Sequence, residues 1–130
     1  LPPEFFIDRS LGSEAVPAAL RAVGAEVVTM RELWGEAEAQ ELLDTEWIAR
    51  LRESNPIVLM KDDRIRYRPA EQLAFEQAGL RGFVLTNGNL RRAQMAAYFL
   101  DNLDTIRRIA EQPGPYICGV YRIRVERLWP

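Results

Sequence analysis

The chain has no histidine and only one cysteine, Cys118, in 130 residues. Without histidine there is no Ser-His-Asp triad, no imidazole base and no His-ligated zinc or iron. One cysteine excludes a four-cysteine zinc site and an intrachain disulfide. Cys118 lies in an apolar run and reads as a core thiol. Lysine is nearly absent too: Lys61 is the only one, so the positive charge is almost all arginine. Arginine suits bidentate phosphate contacts, although a GC-rich coding sequence produces the same bias. No apolar stretch reaches the roughly 18 residues of a membrane span. The opening Leu-Pro-Pro-Glu lacks the basic flank and apolar core of a signal peptide. A cytoplasmic protein with no membrane partner is expected, numbered with an offset from the gene product because no initiator Met is present.

What remains is carboxylate chemistry, alone or with a hard cation such as Mg2+ or Mn2+. Charged residues make up 28% of the chain, its net charge is -2 and its pI about 5.3, so polyanions meet no general attraction. Any nucleic acid must therefore find a local basic patch. With 48% hydrophobic residues and this length, the chain suits a single domain, 1–130, with one core.

Aspartate is scarce, six against thirteen glutamates, yet three of the six close two apolar runs. These are Phe5-Phe6-Ile7-Asp8 and Ile57-Val58-Leu59-Met60-Lys61-Asp62-Asp63. A buried strand that stops at a carboxylate places it at the rim of a sheet, where open α/β folds bind ligands.

Periodicity fills in the rest. Strands are expected at about 4–8, 25–30, 57–60, 82–86 and 116–125, and helices at about 14–23, around Asp44–Leu51, at 69–77 and at 91–112. Residues 31–40 read as polar and irregular, and 62–69 as a charged loop. Short connections between alternating strands and helices predict a mostly parallel sheet of four or five strands with helices on both faces.

In such a sheet Asp8 and Asp62 reach one rim, and Asp44 and Glu46 open the helix between them. Clustered carboxylates repel and take up protons unless a cation lies among them. Metal ligation by Asp8, Asp44, Glu46, Asp62 and Asp63 is therefore expected. Each also has an ordinary structural use: a turn cap for Asp8, a helix N-cap for Asp44, a dipole contact for Glu46, loop charges for Asp62 and Asp63. Arg64, Arg66 and Arg68 alternate after the Asp pair and share one side of an extended segment. With Arg9 they are the candidate phosphate contacts. Tyr67 reads as a packing residue and Trp34 as an exposed anchor for a partner.

At these residues the chain resembles PIN-like domains related to VapC toxins. The likeness is carried by Phe5-Phe6-Ile7-Asp8-Arg9-Ser10-Leu11-Gly12, Asp44-Thr45-Glu46-Trp47-Ile48, the run Ile57 to Arg66, and Pro113-Gly114-Pro115-Tyr116-Ile117. The resemblance implies a PIN-like three-layer α/β fold and a Mg2+- or Mn2+-dependent endoribonuclease with Asp8, Asp44 and Asp62 as catalytic residues. RNA is then the substrate, and a cognate antitoxin and a second copy in a homodimer are the expected protein partners. Such domains carry another acid near the fourth strand, where this chain has Thr86-Asn87-Gly88-Asn89. Asparagine is neutral and a weaker ligand than the acid a second metal site would use there. A catalytically degenerate domain that binds RNA or a partner without cleaving is the alternative. A phosphoacceptor receiver fits poorly, since Asp8 is unpaired and the one lysine precedes Asp62.

Overall fold

The computed structural model describes residues 3–61, 65 and 67–130. Among the described residues six strands form one sheet: β1 (Phe5–Ile7), β2 (Val27–Thr29), β3 (Ile57–Met60), β4 (Arg81–Leu85), β5 (Tyr116–Val120) and β6 (Val125–Trp129). Their order is β2-β1-β3-β4-β5-β6, parallel throughout except for the antiparallel β5–β6 pair. The short apolar runs form strands because both of their faces are covered, as parallel strands require. Phe5, Ile7, Ile57 and Leu59 enter one core, while Phe6, Val58 and Met60 enter the other. This is the two-residue alternation of a pleated strand, with both sides apolar.

Three helices close the first face: α1 (Ala15–Ala22), α6 (Arg92–Asp101) and α7 (Leu103–Ile109), through Val16, Leu20, Met95, Phe99 and Ile106. The second is covered by α2 (Met30–Trp34), α3 (Glu36–Glu41), α4 (Asp44–Arg50) and α5 (Pro69–Ala78), through Met30, Ala39, Trp47, Ile48 and Phe75. The three-layer α/β architecture is the one expected.

Three details differ. Residues 31–40, expected to be irregular, fall largely in α2 and α3. A capping box starts α2: Glu32 N donates to Thr29 Oγ1 at 3.2 Å and Thr29 N to Glu32 Oε1 at 2.9 Å. Gly35, at φ 84°, separates the two helices. Trp34 is half-buried, not an exposed anchor, with its ring 5.9 Å from Phe6 and the Arg50 guanidinium 5.4 Å from its centroid.

The expected 22-residue helix is divided at Asn102, a buried amide whose Nδ2 donates to Tyr98 O at 2.7 Å and Tyr121 O at 2.8 Å. The final strand is a hairpin, turned where Tyr121 N donates to Arg124 O at 2.9 Å, with Ile123 86% exposed at its tip. Two strands therefore stand where the apolar pattern suggested one, and the sheet has six.

Two glycines are required by geometry. Gly79 ends α5 in the left-handed region at φ 65°. A Cβ on Gly114 would collide with the Leu80 carbonyl oxygen, so only glycine lets the chain cross there into β5.

Candidate active site

The chain winds from β1 to β2 in one direction and returns to β3 on the other side of β1, so the winding reverses between β1 and β3. A crevice forms outside the carboxyl ends of strands at such a reversal. Asp8 stands there, in the residue after β1, with its amide donating to Leu59 O of β3 at 3.0 Å.

Asp8 is only 8% exposed. Its Oδ2 accepts from Ser10 Oγ at 2.6 Å and from Ser10 N at 3.4 Å, which caps a single 3-10 turn over Arg9–Leu11. Its Oδ1 is buried and has no hydrogen-bond partner among the described residues. Burial raises the Asp8 pKa above the ordinary carboxylate value; the Ser10 hydroxyl opposes this, and nearby Asp44 adds repulsion.

Lys61 N donates to Ser10 Oγ at 3.1 Å. The residue immediately before Asp62 is thus tied, through one hydroxyl, to Asp8. Asp62, Asp63, Arg64 and Arg66 lie outside the described residues.

Asp44 is the first residue of α4; the N-cap position falls to Leu43. Its Oδ1 accepts from Trp47 Nε1 at 2.9 Å and Arg9 Nη2 at 3.4 Å, and its Oδ2 lies 4.0 Å from Arg68 Nη1. Arg9 also donates to Ala39 O at 2.8 Å, so it links α3 to α4 at the rim. Glu46 is exposed and its Oε1 accepts from Leu43 N at 2.8 Å, the reciprocal half of a helix cap. Asn87 Oδ1 accepts from Asn89 N at 2.9 Å, which makes the Asn-Gly-Asn segment a turn. Tyr67, expected to pack, is 68% exposed.

Glu71 was not among the expected site residues. It is the third residue of α5, and its Oε1 lies 3.5 Å from the same Arg68 nitrogen that approaches Asp44. Its carboxyl lies near that of Asp44, and its side chain is 14% exposed. Desolvation first, then the Asp44 carboxyl, raises its pKa from 4.5 to about 7. The available signal was Pro69, which fixes the first turn of α5 beside the rim. A glutamate in that turn ordinarily passes for a dipole contact.

A stability profile follows from this shift. A carboxyl with a raised folded pKa contributes stability below its unfolded value and loses it as pH rises through the folded one. In EDTA, the urea midpoint of the protein is expected to fall as pH rises from about 5 to about 8. Glu71→Gln is expected to flatten that fall, measured by fluorescence-monitored unfolding at each pH.

Among the described residues no three His, Cys, Asp or Glu side chains already stand close enough to hold an ion. The donor set is nevertheless all oxygen. A buried carboxylate with one unpartnered oxygen, beside a second carboxylate, suits a hard divalent cation. Among the described residues, no helix is long and apolar enough to cross a membrane.

Fold and site define a doubly wound α/β domain whose winding reversal is lined with carboxyl groups. The family model described as "PIN like domain" matches residues 3–87, and the chain belongs to that family. It is 37% identical over 123 residues to the Mycobacterium tuberculosis (strain ATCC 25618 / H37Rv) protein named "Putative ribonuclease VapC45". That match covers 95% of this chain and 89% of the relative. No solved structure matches.

Proposed function

We propose that the protein is an endoribonuclease that hydrolyses RNA phosphodiester bonds, the toxin of a toxin–antitoxin pair. The observation that carries this reading is Asp8: a buried carboxylate with an unpartnered oxygen, at the winding reversal of a PIN-like domain. The ribonuclease activity in the relative's name is carried over on a match that spans nearly both chains.

In this reading Asp8, Asp44 and Asp62, with Asp63 adjoining, hold Mg2+ or Mn2+. Such an ion, when bound, lowers the pKa of a water and neutralises charge on the scissile phosphate. Asp8 is fixed by Ser10 and Asp44 by Trp47, so neither carboxylate needs to be ordered on binding. Burial of Asp8 excludes bulk water from one side of the site and strengthens the attraction of the carboxylates for a cation. Arg9, Arg64, Arg66 and Arg68 are the proposed phosphate contacts.

Two observations favour the alternative of a non-cleaving binder: the net charge of -2 and the neutral Asn87-Gly88-Asn89 turn after β4. Incubation of single-stranded RNA with Mn2+ and the parent, Asp44→Asn or Asp62→Asn separates the two readings. The parent is expected to cut internally, and both variants to lose that activity. Undiminished cleavage by the two variants would sink the site. Intact RNA that the parent still retards in a gel would favour the binder.

A further inference from the structure

We propose that the cavity beside Arg9, outside the carboxyl ends of β1 and β2, seats a guanine base of the bound RNA, with Glu36 and Arg31 reading its two edges. The inference rests on the reading of RNA as the substrate, and it names the base presented next to the carboxylate site.

The cavity holds about 200 Å3, and its polar lining comes from Arg9, Ser13, Thr29, Arg31, Glu36 and Gln40. Sites for larger ligands run from roughly 300 to 1,000 Å3, so this space suits a single ring system. Its floor is apolar, made by the buried side chains of Ile7, Met30 and Ala39. Apolar walls with a few placed polar groups are the usual build of a small-ligand site. In the order β2-β1-β3 the cavity lies one strand away from the winding reversal. Arg9 is the wall shared with the carboxylates: Nη1 donates to Ala39 O at 2.8 Å and Nη2 to Asp44 Oδ1 at 3.4 Å. A base held on one side of Arg9 therefore belongs to a nucleotide whose phosphate is within reach of the rim.

The local fold assembles the reading groups. Gly35, at φ 84°, turns the chain so that Arg31 of α2 and Glu36, the first residue of α3, line the same space. Glu36, Ala39 and Gln40 follow the i, i+3, i+4 spacing of one helix face. Glu38, outside that face, is paired with Arg50 at 3.1 Å. Arg31, Glu36 and Gln40 are exposed, and their side chains form no hydrogen bond or ion pair among the described residues. A cation and an anion that line one cavity without pairing offer a donor fork and an acceptor pair. Guanine is the base that matches both. Its N1–H and 2-amino group are two adjacent donors for a carboxylate, and its O6 and N7 are two adjacent acceptors for a guanidinium. Adenine, cytosine and uracil lack the two-donor edge. Unpaired RNA bases are read on both edges in this way.

The test follows backbone amide NMR shifts of the metal-free full chain during titration with each of the four nucleoside monophosphates, whose common phosphate cancels in the comparison. Guanosine monophosphate is expected to shift the amides of Ser13, Arg31 and Gln40 and to bind on the order of tenfold more tightly than the other three. Glu36→Gln is expected to remove that preference. Glu41→Gln, at an exposed acid of the same helix away from the cavity, is expected to keep it. Both substitutions fall on exposed side chains and should leave the melting temperature level. Equal binding of the four nucleotides, shifts confined to residues away from the cavity, or a guanine preference unchanged in Glu36→Gln overturns the inference. Mapping of cuts in a mixed-sequence RNA with Mn2+ separates it from the ribonuclease reading. Cuts beside guanine in the parent, spread over other bases in Glu36→Gln, support both. Cuts without base preference in the parent overturn the guanine pocket and leave the ribonuclease standing. Intact RNA, with guanosine monophosphate still seated in the cavity, removes the ribonuclease and keeps the pocket.

Discussion

Asp8→Asn is expected to remove RNA cleavage, with a loss on the order of a thousandfold, and to stabilise the metal-free protein. The two effects have one cause. Asp8 is a carboxyl group held in a buried position, with one oxygen satisfied by Ser10 and the other unpartnered among the described residues. Its raised pKa means that folding is opposed by ionisation: stability is full at acid pH and is lost as pH rises through the folded value. Asparagine keeps the shape and the Ser10 contact and removes the charge. Each 1 kcal/mol recovered should raise the melting temperature by roughly 3–6 °C in a domain of this size. Differential scanning calorimetry in EDTA reads the gain, and a cleavage assay with labelled RNA reads the loss. A variant both inactive and less stable would mean that Asp8 is a structural group and not a functional one.

Trp47→Ala is expected to cost about 3–5 kcal/mol, the range for removing a large buried aromatic side chain. The indole is 1% exposed and stacks on Phe6 at 5.4 Å, between the sheet and α4. Its nitrogen also holds Asp44 Oδ1 at 2.9 Å, so the same side chain belongs to the core and to the site. Trp47→Phe separates the two roles. It retains an aromatic ring over Phe6 and deletes the hydrogen bond, for a stability loss of about 1 kcal/mol. Urea unfolding of both variants, set beside Mn2+ titration of Trp47→Phe, measures the division. Parent-like metal affinity in Trp47→Phe would show that Asp44 does not depend on Trp47 for its orientation.

The sheet and the place of Asp8 at the end of β1 were legible because they rest on short-range rules. A four-residue apolar run with β-branched members, such as Ile57–Met60, has few alternatives to a buried strand, and parallel strands place their ends on one edge. The helices over 30–41 were hidden because Ala39 is the only fully buried residue of α3, too little to display a period. Asn102 gave no warning of the helix break: its amide is committed to the Tyr121 carbonyl of a hairpin nineteen residues on, a tertiary contact. Glu71 was missed for a similar reason. Its raised pKa comes from burial and from Asp44, and neither is written near it in the chain.

The sheet's two borders carry a further consequence. One is β2, only three residues long, and the other is β6, which runs Val125-Glu126-Arg127-Leu128-Trp129 with Glu126 salt-bridged to Arg124 and the Arg127 guanidinium lying 4.6 Å from the Tyr116 ring centroid. A short margin on one flank and ionic side chains on the other give a foreign strand little to zip onto. Molecules of this protein at high concentration should therefore resist fibre growth by edge-to-edge addition, and the Tyr-Ile-Cys-Gly-Val segment stays shielded within the fold.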